Sequence, residues 1–198
     1  MNFRFRGSGR VVAKEAFSDL VEVMKKSAGV LREADVPFLL AGGIACWARG
    51  GPETDHDVDF LVTPEDAERA LDALSTAGMR PERPPEGWLF KAWEDEAFVD
   101  LIFETSEGPV TKEYFERGEN LEVYAVRMRV ASLEDILVTK LLALNEMDLD
   151  YGSVIEISRA LREQIDWDHV RARTSGSPYA KAFFTLVEEL GILQRAAA

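Results

Sequence analysis

Two stretches of the chain decide its fold, namely Leu39-Leu40-Ala41-Gly42-Gly43-Ile44-Ala45 and Thr54-Asp55-His56-Asp57-Val58-Asp59-Phe60-Leu61-Val62. The apolar run before Gly42-Gly43 predicts a short buried strand that ends in a tight turn, followed by a helix over roughly Ile44 to Arg49. Val58 to Val62 predicts the next strand. Because side chains two residues apart on a strand face the same side, we expect Asp57 and Asp59 to lie together.

The sequence on either side of this block carries helix and loop signals. Apolar residues at spacings of three or four predict an amphipathic first helix over Ala13 to Glu33. Thr63-Pro64, with acidic residues directly after it, predicts a helix that runs to about Ala77. Arg80 to Gly87 contains three prolines and is predicted to be a loop.

A single carboxylate interrupts an apolar strand further along the chain. Trp88 to Trp93 and Ala97 to Phe103 predict the two strands of a hairpin. In the second strand Asp100 faces away from Val99 and Leu101. Burying a lone carboxylate is costly, so either this face is solvated or a cation compensates the charge.

After a last predicted strand over Leu121 to Val130, the sequence predicts helices only. Each of three helices opens at a capping residue, and these are Ser132, Asp166 and Ser177. We therefore expect an α+β fold. Residues 1–130 would form a core with a small mixed β-sheet flanked by helices, and residues 131–198 an all-helical C-terminal region.

Composition limits the classes of partner and location. The formal net charge of −13 counts against sequence-independent nucleic-acid binding and favours a small or cationic acceptor, or a protein partner, although Arg4 to Arg10 and Arg80 to Arg83 are locally basic. No apolar run approaches the ~20 residues of a membrane helix, and no secretory signal follows the basic start. With a single cysteine, Cys46, these features predict a cytoplasmic protein that does not enter a membrane.

The turn and the three acids each have a chemical use. Glycines at a turn that opens a helix let backbone N–H groups approach a phosphate closely. Asp57 and Asp59 on one strand face can share a hard divalent cation such as Mg²⁺, which prefers oxygen ligands. Asp100 on a neighbouring strand would complete a two-metal site of the kind that catalyses displacement at phosphorus.

This pattern of a Gly-Gly turn, an Asp-x-Asp strand and a third strand-borne Asp resembles the DNA polymerase β-like nucleotidyltransferase superfamily. Within it, the chain is similar to small bacterial nucleotidyltransferase-like proteins that carry a C-terminal helical region. The resemblance implies transfer of a nucleoside monophosphate from an NTP such as ATP to an acceptor hydroxyl. It also implies that Asp57, Asp59 and Asp100 are the catalytic residues and the ligands of Mg²⁺ or Mn²⁺.

The resemblance further implies nucleotide contacts from Gly42, Gly43, Thr54, His56 and Lys140. Asp148 and Asp150 are weaker candidates, since an Asp shortly after the lysine is common in related groups. One residue departs from the pattern: many relatives have an arginine near the position that Glu53 occupies here. His56 before the acidic pair is similar to aminoglycoside and lincosamide nucleotidyltransferases, which hints at antibiotic-like acceptors.

Two other functions stay open within the same superfamily. The first is a non-catalytic or regulatory role, for example as the antitoxin-like partner of a toxin. The second is a toxin that nucleotidylates tRNA or protein, although the acidic balance of the chain argues against tRNA. The acceptor, whether a small molecule or a protein, is not specified by the sequence.

Overall fold

Helices and strands alternate along the first two thirds of the chain, and helices alone follow. The computed structural model describes residues 8–54 and 57–194, with side chains from Phe17 onward. The helices are α1 Ser8–Glu33, α2 Gly42–Trp47, α3 Pro64–Thr76, α4 Lys112–Arg117, α5 Leu133–Ala143, α6 Gly152–Leu161, α7 Trp167–Arg173 and α8 Pro178–Glu189. The strands are β1 Leu39–Leu40, β2 Val58–Leu61, β3 Arg80–Glu82, β4 Leu89–Glu94, β5 Ala97–Ile102, β6 Glu104–Thr105, β7 Gly108–Pro109, β8 Glu119–Val123 and β9 Val126–Val130.

Seven of these strands form one mixed sheet in the order β3-β4-β5-β2-β1-β9-β8. β2 runs parallel to β5 and β1 parallel to β9, whereas the other neighbours are antiparallel. β6 and β7 form a separate two-stranded ribbon. The expected α+β fold with a mixed sheet and C-terminal helices is therefore confirmed.

The sheet buries one face against α1 and α3. Met24 and Leu31 of α1 are fully buried, as are Val99 and Leu101 of β5. Each such side chain contributes roughly 1.5–3 kcal/mol when it leaves water. The same apolar core continues into α5 and α8, where Leu137 is also fully buried. The proposed division of the chain at residue 130 stays a prediction, although the last sheet strand does end there.

The three predicted helix caps are confirmed by hydrogen bonds. The Ser132 hydroxyl accepts from the Asp135 N–H at 3.1 Å. In the same way, the Asp166 carboxylate accepts from the His169 N–H at 3.0 Å, and the Ser177 hydroxyl accepts from the Ala180 N–H at 3.2 Å. Each cap is worth about 1 kcal/mol because it satisfies an N–H that the helix itself leaves unpaired.

Two predictions of local structure are wrong. Arg80 to Glu82 are not loop but the edge strand β3, which tolerates Pro81 because an edge strand need not use every N–H. The region from Leu121 is not one strand but the hairpin β8–β9. Its turn residues, Tyr124 and Ala125, have φ of 48° and 63°, a left-handed conformation for which glycine or asparagine is the usual signal.

Other boundaries shift by a few residues. The first helix begins at Ser8 instead of Ala13, and the helix after the Gly-Gly turn begins at Gly42 itself. The strand before that turn is reduced to Leu39 and Leu40. Among the helices that the structure describes, none combines the length and the apolar character needed to cross a membrane.

Candidate functional site

Three carboxylates converge where β2 and β5 lie side by side. Asp57 directly precedes β2, Asp59 lies within it, and Asp100 lies opposite Asp59 in the parallel register of β5. Each residue offers one oxygen, and these oxygens lie within 4.8 Å of one another. An all-oxygen set with three negative charges is the donor set that a hard divalent cation prefers.

The protein compensates this negative charge only in part. Burial, and then the neighbouring charges of Asp57 and Asp100, raise the pKa of Asp59 to about 7. Lys140 and Lys91 act in the opposite direction without cancelling that rise. Burial likewise raises the pKa of Asp100. The raised pKa values of Asp59 and Asp100 fit a bound divalent cation, which would supply the missing positive charge.

Gly42 forms the turn directly against this cluster. Its φ is +59°, and a Cβ at this position would lie 1.7 Å from Oδ2 of Asp59. The Ala41 N–H donates to the Asp59 carbonyl at 2.9 Å, which holds the turn to β2. A glycine is therefore required here both by the backbone conformation and by the carboxylate that occupies the side-chain space.

Gly43 and Thr54 are in contact beside the carboxylates. A Cβ on Gly43 would lie 2.6 Å from Oγ1 of Thr54, so the loop before β2 also packs against the turn. Both residues line a cleft of about 250 Å³. The complete lining is Gly43, Cys46, Pro52, Glu53, Thr54, Asp57, Asp59, Lys140, Ser153, Glu156 and Ile157.

Lys140 brings a cation from the C-terminal helices to the carboxylates. Together with Asp59 it lines this cleft and also a second one of about 120 Å³, which runs past Gly42 and along α5. Among the described residues that line the larger of these clefts, Lys140 is the one lysine or arginine. Another cavity, of about 500 Å³ beside Trp167, shares no lining residue with either cleft.

Three acidic or polar residues that line the larger cleft were not predicted as site residues from the sequence. Glu53 lines it, so the reversed charge noted in the sequence lies in the same cleft as Asp57 and Asp59. Ser153 and Glu156 of α6 also line it and were not predicted. No local pattern identifies them, because the face of α6 that meets the cleft is set by tertiary packing.

Lys91 is a further residue that sequence reasoning missed. Its Nζ donates to Oδ1 of Asp100 at 2.7 Å, and Asp100 itself is only 6% exposed. A signal for this contact does exist: the hairpin turn at Asp95-Glu96 pairs Glu94 with Ala97, and counting back from that pair places Lys91 opposite Asp100.

The remaining candidates lie elsewhere or outside the described residues. His56 falls outside the part of the chain that the structure describes. Asp148 and Asp150 are exposed and line neither cleft, and the Asp150 carboxylate accepts from the Gly152 N–H at 2.8 Å at the start of α6. Cys46 is 1% exposed, and burial raises the pKa of its thiol to about 11, as expected of an inert buried cysteine.

Solved structures share this fold at low sequence identity. The solution structure of the antibiotic-resistance factor ANT(2'')-Ia has a TM-score of 0.61 and 16% identity, over 88% of this chain and 97% of that one. The crystal structure of ANT(2'')-Ia in complex with adenylyl-2''-tobramycin has a TM-score of 0.56 and 15% identity, over 82% and 98%.

A third structure is an antigenic nucleotidyltransferase-like protein from Paracoccidioides brasiliensis, with a TM-score of 0.53 and 14% identity over 87% and 93% of the two chains. A search of curated proteins gave no match. A family model covers most of the sequence: the family described as nucleotidyltransferase of unknown function (DUF6036) matches residues 17–185. The resemblance predicted from the sequence is thus confirmed, and the chain belongs to this family of nucleotidyltransferases.

Proposed function

We propose that this protein transfers a nucleoside monophosphate from an NTP to an acceptor hydroxyl and releases pyrophosphate. The proposal depends on one observation: Asp57 and Asp59 share a cleft with Gly43, Thr54 and Lys140, while the third carboxylate of the cluster lies beside them. One site then combines the carboxylates that would bind a metal, a cleft that could hold the phosphates, and Lys140, whose charge would neutralise them.

The carboxylate cluster would hold Mg²⁺ or Mn²⁺, with Asp57 and Asp59 toward the triphosphate and Asp100 toward the acceptor. Bound there, the metal would supply charge stabilisation at phosphorus and lower the pKa of the acceptor hydroxyl. The donor set supports this assignment, because its oxygens are close together and its negative charge is incompletely compensated.

The chain's own groups would orient the reactants. Gly42 and Gly43 let the backbone of the turn pass close to Asp59 and Thr54, and Gly43 and Thr54 line the cleft in which the triphosphate would lie. Lys140 would contact the phosphates in the cleft that it lines together with Asp57 and Asp59. Asp100 would assist removal of the hydroxyl proton as the acceptor oxygen bonds to the α-phosphorus and the bond to pyrophosphate breaks.

The acceptor is proposed to be a small molecule, with a protein as the alternative. ANT(2'')-Ia, which shares the fold, is described in complex with an adenylylated tobramycin. By analogy we propose ATP as the first donor to test. The acidic lining of the cleft, which includes Glu53 and Glu156, favours an acceptor that carries positive charge.

Calorimetry with each NTP in the presence and absence of Mg²⁺ tests the proposal. We expect metal-dependent binding of at least one NTP by the wild-type protein. Asp59→Asn should abolish this binding because it removes a central charge of the cluster. Asp72→Asn, an exposed position of α3, is the matched control and should bind as the wild type does. Absence of metal-dependent binding in the wild type would overturn the proposal.

One observation favours a second candidate, a non-catalytic or regulatory protein that need not bind nucleotide. Glu53 adds a negative charge to the cleft where the triphosphate would lie. An antitoxin-like partner role belongs to this candidate, whereas a toxin acting on tRNA or protein belongs to the first. Release of pyrophosphate from a bound NTP in a screen of hydroxyl compounds would separate transfer from binding alone.

A further inference from the structure

Lys91 lies in a row of charges that crosses four strands of the sheet. Asp59 of β2 pairs with Asp100 of β5, Asp100 pairs with Lys91 of β4, and Lys91 pairs with Glu82 of β3. Residues paired in this way share one face of the sheet. Lys91 is therefore the cation of this row, and it stands between a carboxylate of the cluster and an edge-strand glutamate.

The ammonium of Lys91 is held against the cluster and not against the edge strand. Its Nζ lies 2.7 Å from Oδ1 of Asp100 and 4.2 Å from the centre of the Phe98 ring. Glu82 instead accepts from Trp93 Nε1 at 2.6 Å. The side chains of Lys91 and Asp100 are 22% and 9% exposed, so water screens the pair weakly.

This contact limits what Asp100 can offer a metal. Oδ1 accepts from the ammonium, so Oδ2 is the oxygen more open to a divalent ion. An ion on Oδ2 would stand within a few ångströms of a positive charge, and like charges at that distance repel strongly when they are half-buried. No ion pair among the described residues includes Asp57 or Asp59, and Lys140, which lines their cleft, is not paired with either, so no ammonium is held against their oxygens as Lys91 is held against Asp100.

We propose that Lys91 is the resident counter-cation of Asp100, so that the protein without nucleotide binds one divalent ion at Asp57 and Asp59 and opposes a second ion at Asp100. The inference rests on the proposed function, since it concerns the same cluster. Lys91 acts through Asp100 and is a positioning residue. Its ammonium holds the third carboxylate in place before nucleotide and acceptor bind.

Titration with Mn²⁺ alone, followed by the electron paramagnetic resonance signal of free Mn²⁺, tests this inference. We expect the wild type to bind one ion at least about tenfold more tightly than a second. Lys91→Met, which keeps the stem and removes the charge, should tighten the second ion by about tenfold or more. Lys91→Arg should keep the wild-type pattern because it retains the charge.

Lys26→Met is the matched control. Lys26 of α1 lies on the covered face of the sheet and pairs at 2.5 Å with Glu94 of β4, the strand that also carries Lys91. The Lys26→Met variant should leave Mn²⁺ binding unchanged. If Lys91→Met fails to give a cooperative thermal transition, Lys91→Gln replaces it, since an amide can donate to Asp100 without a charge.

The outcomes separate the inference from the function on which it rests. Two ions of equal affinity in the wild type, or a second-ion affinity in Lys91→Met and Lys91→Gln within twofold of the wild type, would overturn the role of Lys91 and leave the proposed function standing. A wild type that binds no Mn²⁺ without nucleotide would also overturn the inference, whereas the proposed function is decided separately by the calorimetry with NTP and Mg²⁺.

Discussion

Asp59→Asn should stabilise the metal-free protein while it destroys metal binding. In the wild type, burial and the charges of Asp57 and Asp100 raise the pKa of the Asp59 carboxyl to about 7. Its ionised form is therefore disfavoured in the fold relative to the unfolded chain, where the pKa is near 3.8. Asparagine has nearly the same shape beside Gly42 and carries no charge to disfavour.

The magnitude follows from the difference between the two pKa values. A gap from 3.8 to about 7 corresponds to an upper limit of about 4 kcal/mol at pH above 7. Water at the partly exposed carboxylate reduces this limit, and we expect about 1–3 kcal/mol. Since the folded state holds the proton more tightly, wild-type stability falls as the pH rises from about 4 to about 7. The advantage of Asp59→Asn should therefore be absent near pH 4 and complete above pH 7.

Urea unfolding after EDTA treatment, near pH 4.5 and near pH 8, measures this difference. Added Mg²⁺ should then stabilise the wild type and leave Asp59→Asn unchanged, because only the wild type keeps the full ligand set. Asp72→Asn should follow the wild type throughout. A variant that is less stable than the wild type near pH 8 in EDTA, or whose advantage is the same at both pH values, would refute the reasoning.

Three further predictions concern single residues of the site. Gly42→Ala should lower the free energy of unfolding by at least about 2 kcal/mol, because Gly42 has a positive φ and the Asp59 carboxylate occupies its Cβ space. Gly29→Ala, in open space on α1, should instead raise it by about 0.5–1 kcal/mol. Urea unfolding measures both changes, and equal effects would contradict the turn geometry. Glu53→Gln should tighten NTP binding about fivefold, because it removes one negative charge from the cleft, and the exposed control Glu86→Gln should leave NTP binding unchanged. If calorimetry shows no increase in the NTP affinity of Glu53→Gln, a repulsive role for Glu53 is excluded. Cys46 should resist a thiol-specific disulfide reagent at neutral pH until urea unfolds the chain, so rapid native labelling would contradict its burial.

The sequence predicted the parts of the site that depend on local periodicity. Asp57 and Asp59 share a face because they lie two residues apart on a strand, and Asp100 was found because it interrupts an apolar strand. Contacts that depend on register or packing were not predicted. Lys91 required the hairpin register, and Glu156 required the position of α6 over the cleft.

The wrong local predictions have the same physical origin. Tyr124 and Ala125 form a left-handed turn without the residues that usually mark one, because the pairing of β8 with β9 imposes it. Pro81 marks a loop in most sequences, but at a sheet edge it is compatible with a strand. In both cases tertiary pairing overrides local preference.

Lys140 and Asp59 belong to different parts of the chain, since α5 opens the helical region and β2 belongs to the sheet. A nucleotide that contacts both would bind only where the two are already packed together. By mass action, such a ligand would hold the helices onto the sheet, and each tenfold excess over its dissociation constant would add about 1.4 kcal/mol to that attachment. Val130, Ala131 and Leu133 at this junction are buried, so a protease would reach them only when the helices open from the sheet, and added nucleotide would slow that cleavage.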